Sequence, residues 1–144
     1  VTNKRKIKEI YKVTENKAKK LYTGYNIVLT FTSKTIKNAK IIIAVYNNKA
    51  LEKRMNKFGE IYEKCAKLSE IESISASIQN MILAAKNYGI GIAWLVMPIF
   101  CEKDINKILE TNDNLVALLT LGYPAERGKR SPRKPIEDSV KIIK

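Results

Sequence analysis

Two stretches of this chain hold residue types that could do chemistry. In the first, Gly89-Ile90-Gly91 breaks an apolar run and hands over to Ile92, Ala93, Trp94, Leu95, Val96 and Met97. Closely spaced glycines let the backbone turn tightly, and the apolar segment behind them can offer peptide N–H groups to the edge of a flat, largely apolar ligand. The same residues are equally those of a helix stop entering a buried strand, with Trp94 in the core. In the second stretch, Arg127, Lys129, Arg130, Arg133 and Lys134 crowd into positions 127–134. An arginine fork donates paired hydrogen bonds to a phosphate. A solvated basic loop, or a patch for nucleic acid or acidic lipid, would look alike.

The rest of the inventory narrows the chemistry by exclusion. There is no histidine, which removes Ser-His-Asp and Cys-His nucleophilic machinery and any histidine-containing zinc site. Cys65 and Cys101 are far apart in sequence and lack cationic neighbours arranged to activate a thiol. Two such thiols suit a reducing, cytoplasmic setting. The formal net charge of +13 suggests anionic partners, or lysines spread over solvated faces. The apolar runs 90–100 and 115–121 are short of the ~20 residues of a membrane span, and Lys4, Arg5, Lys6 and Lys8 lead into an amphipathic pattern rather than a signal peptide.

At 144 residues the chain reads as one domain, 1–144. Ile7, Ile10, Tyr11, Ala18 and Leu21 recur at helical spacing among lysines and predict a surface helix over 3–21 capped by Asn3. Val1-Thr2 in front of it resembles the frayed end of a strand. After Gly24, Ile27-Val28-Leu29-Thr30-Phe31 reads as a short strand or an ordered loop. The unbroken run Ile41-Ile42-Ile43-Ala44-Val45 predicts a central strand buried on both faces. Residues 51–65 are amphipathic. Residues 68–88 form a long helix, apolar nearly all round and therefore internal, which Gly89 stops in the left-handed conformation. A strand over 90–97 limited by Pro98, a short helix over 102–109, a strand over 114–122 and a C-terminal arm over 136–143 complete an α+β pattern with helices on both sides of a small sheet. Gln79 and Asn80 lie inside the long helix and need structural partners, in backbone or a neighbouring subunit.

Several of these segments together resemble the FMN-dependent nitroreductase family. They are Ile78-Gln79-Asn80-Met81-Ile82-Leu83-Ala84-Ala85, then Tyr88-Gly89-Ile90-Gly91, then Ala93-Trp94. Upstream, Ile36-Lys37-Asn38-Ala39 precedes the isoleucine strand, with Lys40 where a proline is common. Downstream come Leu121-Gly122-Tyr123-Pro124-Ala125-Glu126 and Arg133-Lys134-Pro135-Ile136-Glu137. The resemblance implies a nitroreductase-like α+β fold and an FMN site. Ala93, Trp94, Leu95, Val96 and Met97 would lie near the flavin's reactive face, and Arg133, with Lys134 and Arg130 as alternates, would reach its phosphate. It implies hydride transfer from NAD(P)H to FMN and onward reduction of a nitroaromatic or quinone-like acceptor. It also implies an intertwined homodimer with the cofactor at the interface. The family's opening Arg-Arg-Ser-x-Arg motif and its Pro-Ser-x-x-Asn-x-Gln-Pro-Trp segment have no counterpart, so the chain corresponds to the C-terminal two-thirds of a usual member. Two other readings stand beside this one: a basic, non-enzymatic binding module for nucleic acid or anionic surfaces, and a catalytically dead scaffold on the same fold.

Overall fold

The structure, a computed structural model, describes residues 1–21, 24–125, 128 and 131–143. Helix α1 spans Lys4–Lys20. The Asn3 side chain accepts hydrogen bonds from the backbone N–H groups of Arg5 (2.9 Å) and Lys6 (3.3 Å), closing the orphan donors of the first turn. Ile7, Ile10, Thr14 and Ala18 form its buried stripe, while Lys17, Lys19 and Lys20 sit in the last turn, where the helix dipole favours cations.

Helix α2 spans Tyr25–Asn38, so Ile27-Val28-Leu29-Thr30-Phe31 is neither strand nor loop. β-branched residues lower its intrinsic helix propensity, but packing overrides propensity here. Leu29, Thr32, Ser33 and Ile36 recur at helical spacing and are buried. The hydroxyls of Thr30, Ser33 and Thr35 donate to backbone carbonyls of the preceding turn, which satisfies them without leaving the helix.

Three strands follow: β1 (Ile41–Asn47), β2 (Gly91–Leu95) and β3 (Asn114–Gly122). They form one antiparallel sheet in the order β1-β3-β2. The isoleucine strand is therefore at an edge and not central. Its apolar run has another cause, since helices cover both faces of the sheet. On its outer side the Val1 ammonium donates to Ile42 O (2.6 Å) and the Ile42 N–H donates to Val1 O (3.0 Å), so Val1 lies along β1, although residues 1–3 form no strand of the sheet. Between Val45 and Tyr46 the register slips and Val116 of β3 is left unmatched. That bulge turns Leu115 and Leu118 to the same face.

Helix α3 (Ala50–Met55) and a single 3-10 turn lead to Gly59, whose φ of 114° breaks the chain before helix α4. Helix α4 is one continuous element, Glu60–Asn87, longer than the 68–88 segment. Gly89 ends it at φ 70°, with the Ile90 N–H donating to Ala85 O and the Gly89 N–H to Lys86 O, a left-handed stop. After β2, a 3-10 turn (Met97–Cys101) carries Pro98 into α5 (Glu102–Leu109). Glu102 accepts the Leu115 N–H at 2.8 Å and ties the start of α5 to β3.

One face of the sheet packs against α1, α2 and α5 through Ile7, Ile10, Ile36, Ile42, Leu95, Cys101, Ile105, Leu115 and Leu118. The other packs against α4 through Ile78, Ala117 and Leu119, with Ile43, Val45, Ile74, Met81, Ile82 and Ile92 around them. Helix α4 is not the internal helix its composition predicts. Only Ala66 and Ile78 are buried, while Ile61, Tyr62, Leu68, Ile71 and Leu83 are exposed. The sheet covers one stripe of it and leaves the remaining apolar positions bare. Gln79 and Asn80 are exposed as well, on the side away from the sheet contacts. The 136–143 arm holds one 3-10 turn, Ile136–Asp138, and is exposed throughout.

Candidate functional site

The left-handed stop at Gly89 delivers the chain directly into β2, an edge strand. An edge strand keeps every second peptide pointing outward with its N–H and C=O free for another partner. Pairing with β3 runs from Gly91 opposite Gly122 to Leu95 opposite Leu118. A Cβ at Gly91 would stand 3.4 Å from Gly122 O and 3.7 Å from Pro124 Cβ, ordinary contact distances that put the start of β2 directly against residues 122–124. The two segments singled out by sequence, 89–94 and 121–124, thus meet side by side.

The five residues Ala93 to Met97 do not act alike. Ala93 and Leu95 face the α1/α2/α5 core, so only their backbone is available to a ligand. Trp94 lies on the opposite face and, at 38% exposure, is not a core residue. Val96 is exposed just beyond the strand end, and Met97 begins the 3-10 turn instead of continuing β2. Ile99 and Phe100 of that turn are also exposed, and the Phe100 ring lies 6.1 Å from Tyr25 at the start of α2. Trp94, Val96, Ile99, Phe100 and Tyr25 therefore supply exposed apolar surface at and beyond the end of β2. Sequence reading missed Tyr25 and Phe100, because Tyr25 was not recognised as helical.

The cationic half of the expected site is not packed against this strip. Arg133 and Lys134 are exposed, on a segment exposed from 131 to 143, and the Arg133 Nη1 donates to Pro132 O at 3.4 Å. Arg130, with Arg127 and Lys129, lies outside the described residues. A cleft of about 440 Å³ touches the apolar strip at Val96 and Ile99, alongside Ile71 and Glu102. The described residues thus bring together an open strand edge and an apolar strip, while the cations of 131–134 stand apart from both.

A second polar construction was not visible in sequence. Glu70 of α4 accepts from the N–H groups of Leu51 (2.6 Å) and Glu52 (3.2 Å) and from Asn47 Nδ2 (2.9 Å), which fixes the start of α3 against β1. Desolvation of Glu70 works to raise its pKa. The hydrogen bonds from Asn47 and the two backbone amides, together with the Lys49 charge, outweigh it and leave the carboxyl below its ordinary value. Cys101 is buried with its Sγ 3.7 Å from Val13 O, and burial pushes its thiol up to about 11, so it stays protonated and inert.

The family model described as the Nitroreductase family matches residues 1–123. The chain belongs to the nitroreductase family. Its mixed α+β architecture is the nitroreductase fold. A BluB-like flavoprotein from Clostridium difficile 630 superposes at a TM-score of 0.72 with 20% identity, covering 100% of this chain and 77% of its own. A nitroreductase-type protein from Desulfovibrio desulfuricans, solved in complex with FMN, superposes at 0.60 with 20% identity, over 91% of this chain and 63% of that one. In sequence, the chain is 31% identical over 83 residues to YfhC of Bacillus subtilis (strain 168), whose name assigns it as an NAD(P)H nitroreductase. That stretch is 56% of this chain, and it spans less than half of YfhC, 43% of its length. Among the described residues, no helix of this nitroreductase-family chain is long and apolar enough to cross a membrane.

Proposed function

We propose that this chain forms part of an FMN-dependent oxidoreductase that takes hydride from NAD(P)H and passes electrons to a nitroaromatic or quinone-like acceptor. The observation that carries the reading is the open edge of β2, set beside an exposed apolar strip in a nitroreductase-family chain. Bound flavin would supply the hydride and electron chemistry. The chain's own part is binding and orientation. The peptide groups of Ala93, Trp94 and Leu95 that face away from β3 would donate to the polar edge of the ring. The side chains of Trp94 and Val96 would shield one of its faces from water. Arg133, with Lys134 and Arg130 as alternates, would neutralise the phosphate.

Completion of the pocket falls to a second copy in this proposal. The support is the apolar surface of α4, because side chains such as Tyr62, Leu68 and Ile71 left in water mark an interface. The reducing cytoplasm is the setting we infer from the two free thiols.

The test is retention of flavin. Purified chain incubated with FMN and passed through gel filtration is expected to elute with the flavin absorbance bands, at a mass above that of the monomer. Arg133→Gln should weaken that retention. A colourless protein peak would remove the flavin-binding claim for these 144 residues.

A further inference from the structure

The excess of lysine is unevenly compensated. On α1, Arg5 pairs with Glu9 at 3.4 Å, Lys6 with Glu110 at 2.9 Å and Lys19 with Glu15 at 3.5 Å. Lys4 and Lys8, one turn apart on the same helix, pair with no carboxylate among the described residues, and neither do Lys37 at the end of α2 or Lys40 before β1. All four line one cleft of about 560 Å³, together with Thr2, Ile7, Tyr11, Asn38 and Ala39. Its lining includes no acidic residue. The Lys37 ammonium stands 5.4 Å from the Tyr11 ring centroid, and the Tyr11 hydroxyl is already committed to Glu15 at 2.6 Å. Glu15, held by Tyr11 and Lys19, also feels the Lys37 charge, though not at pairing distance.

Ammonium groups gathered around one concavity repel each other, and an anion seated among them converts that repulsion into attraction. The lining between them is different in kind, with the half-buried Tyr11 and the small exposed part of Ile7 offering apolar contact, although the Lys37 ammonium already stands over one face of the Tyr11 ring. A dianionic head beside an apolar or aromatic body matches both parts, and the volume is that of a small-molecule site. We propose that this cleft binds a phosphorylated small molecule, with its phosphate among Lys4, Lys8, Lys37 and Lys40 and its body against Ile7 and Tyr11. The site is separate from the β2 edge and stands without the flavin reading. A nucleic-acid backbone is disfavoured, because it needs cations spread along a track and these four converge on one hollow.

Titration of the full chain with phenyl phosphate, followed by amide chemical shifts, tests it. Shifts are expected to concentrate in residues 2–11 and 37–41, with inorganic phosphate giving the same map at weaker affinity. Lys8→Gln combined with Lys37→Gln should weaken phenyl phosphate by about tenfold or more, the scale of lost charge-assisted hydrogen bonds. Lys64→Gln combined with Lys86→Gln, which removes equal charge from α4, should leave binding unchanged. The proposal is overturned by equal weakening in both double variants, which would mean diffuse charge, or by no shifts at millimolar phenyl phosphate. It is equally overturned if a mixed-sequence DNA duplex binds these lysines while phenyl phosphate does not.

Discussion

On one face of the sheet, Ile10, Ile36, Ile42, Ile105 and Leu118 are sealed beneath α1, α2 and α5. On the other, Ile78, Ala117 and Leu119 are sealed beneath α4, which itself presents Ile61, Tyr62, Leu68, Ile71 and Leu83 to water. Both faces are built from the same aliphatic residue types, so composition alone does not separate them. The difference is coverage. The first face is sealed by three helices, although α2 among them also turns Ile27, Val28 and Phe31 to water, and its buried residues contribute to folding. The second is finished only as far as one stripe of α4, and the apolar residues beyond that stripe have nothing among the described residues to bury against.

Side-chain truncation separates the two faces most strongly. Leu118→Ala is expected to cost about 2–5 kcal/mol in a urea unfolding titration, since it removes a fully buried side chain and leaves a cavity. Leu68→Ala on the exposed side of α4 should stay within about 0.5 kcal/mol for the isolated chain. Equal losses would show that the two faces are not distinct. The next effect concerns association. Leu68→Lys with Ile71→Lys should weaken self-association by about 2 kcal/mol or more if these residues anchor the interface, seen by sedimentation as a shift toward monomer. An unchanged sedimentation profile would remove α4 from the interface. Gly89→Ala places a Cβ on a φ of 70° and is expected to cost about 1–2 kcal/mol, loosening the join between α4 and β2. A fully stable variant would mean the turn can re-form in another conformation.

The smallest effect lies where α4 meets α3. The Glu70 carboxyl is lowered in the folded protein, so its contribution is present above the ordinary carboxylate pKa and is lost as pH falls through the lowered folded value. The protection of the Leu51 and Glu52 amides against hydrogen exchange, relative to their intrinsic rate at each pH, should therefore fall in acid, and Glu70→Gln should remove that pH response. Protection of those amides that does not vary with acid would show that the carboxylate is not what holds them.

Much of the fold was legible because its signals were local. Asn3, Gly89 and the spacing of Ile7, Ile10 and Ala18 gave α1 and the end of α4 directly. Residues 114–122 matched β3 in full. What failed depended on the rest of the molecule. Residues 25–38 are helical because Leu29 and Ile36 find a core, a reason that lies outside the segment. An all-isoleucine run identifies a strand covered on both faces but not its neighbours, so β1 was misplaced to the centre. At the candidate site, the Gly89–β2 turn was readable from its glycines and its family resemblance. The contribution of Phe100 beside Tyr25, and of Glu70 to α3, rests on residues far apart in sequence that no spacing rule connects.

The strand order also sets an order of events in time. β3 is the last of the three strands among the described residues and lies between the other two, and β1 and β2 share no ladder with each other. As the polypeptide emerges from the ribosome, its helices can form in sequence, yet the sheet has no β1–β3 or β2–β3 hydrogen bond until residues 114–122 arrive. Both ladders are long-range closures, the slow kind. Until then the isoleucines of β1 have no sheet partner to the C-terminal side, and nascent chains of this protein are at their most aggregation-prone before residues 114–122 emerge. Chains stalled at residue 113 should consequently be captured by a hydrophobic-surface probe, and chains extended past residue 122 should lose that signal.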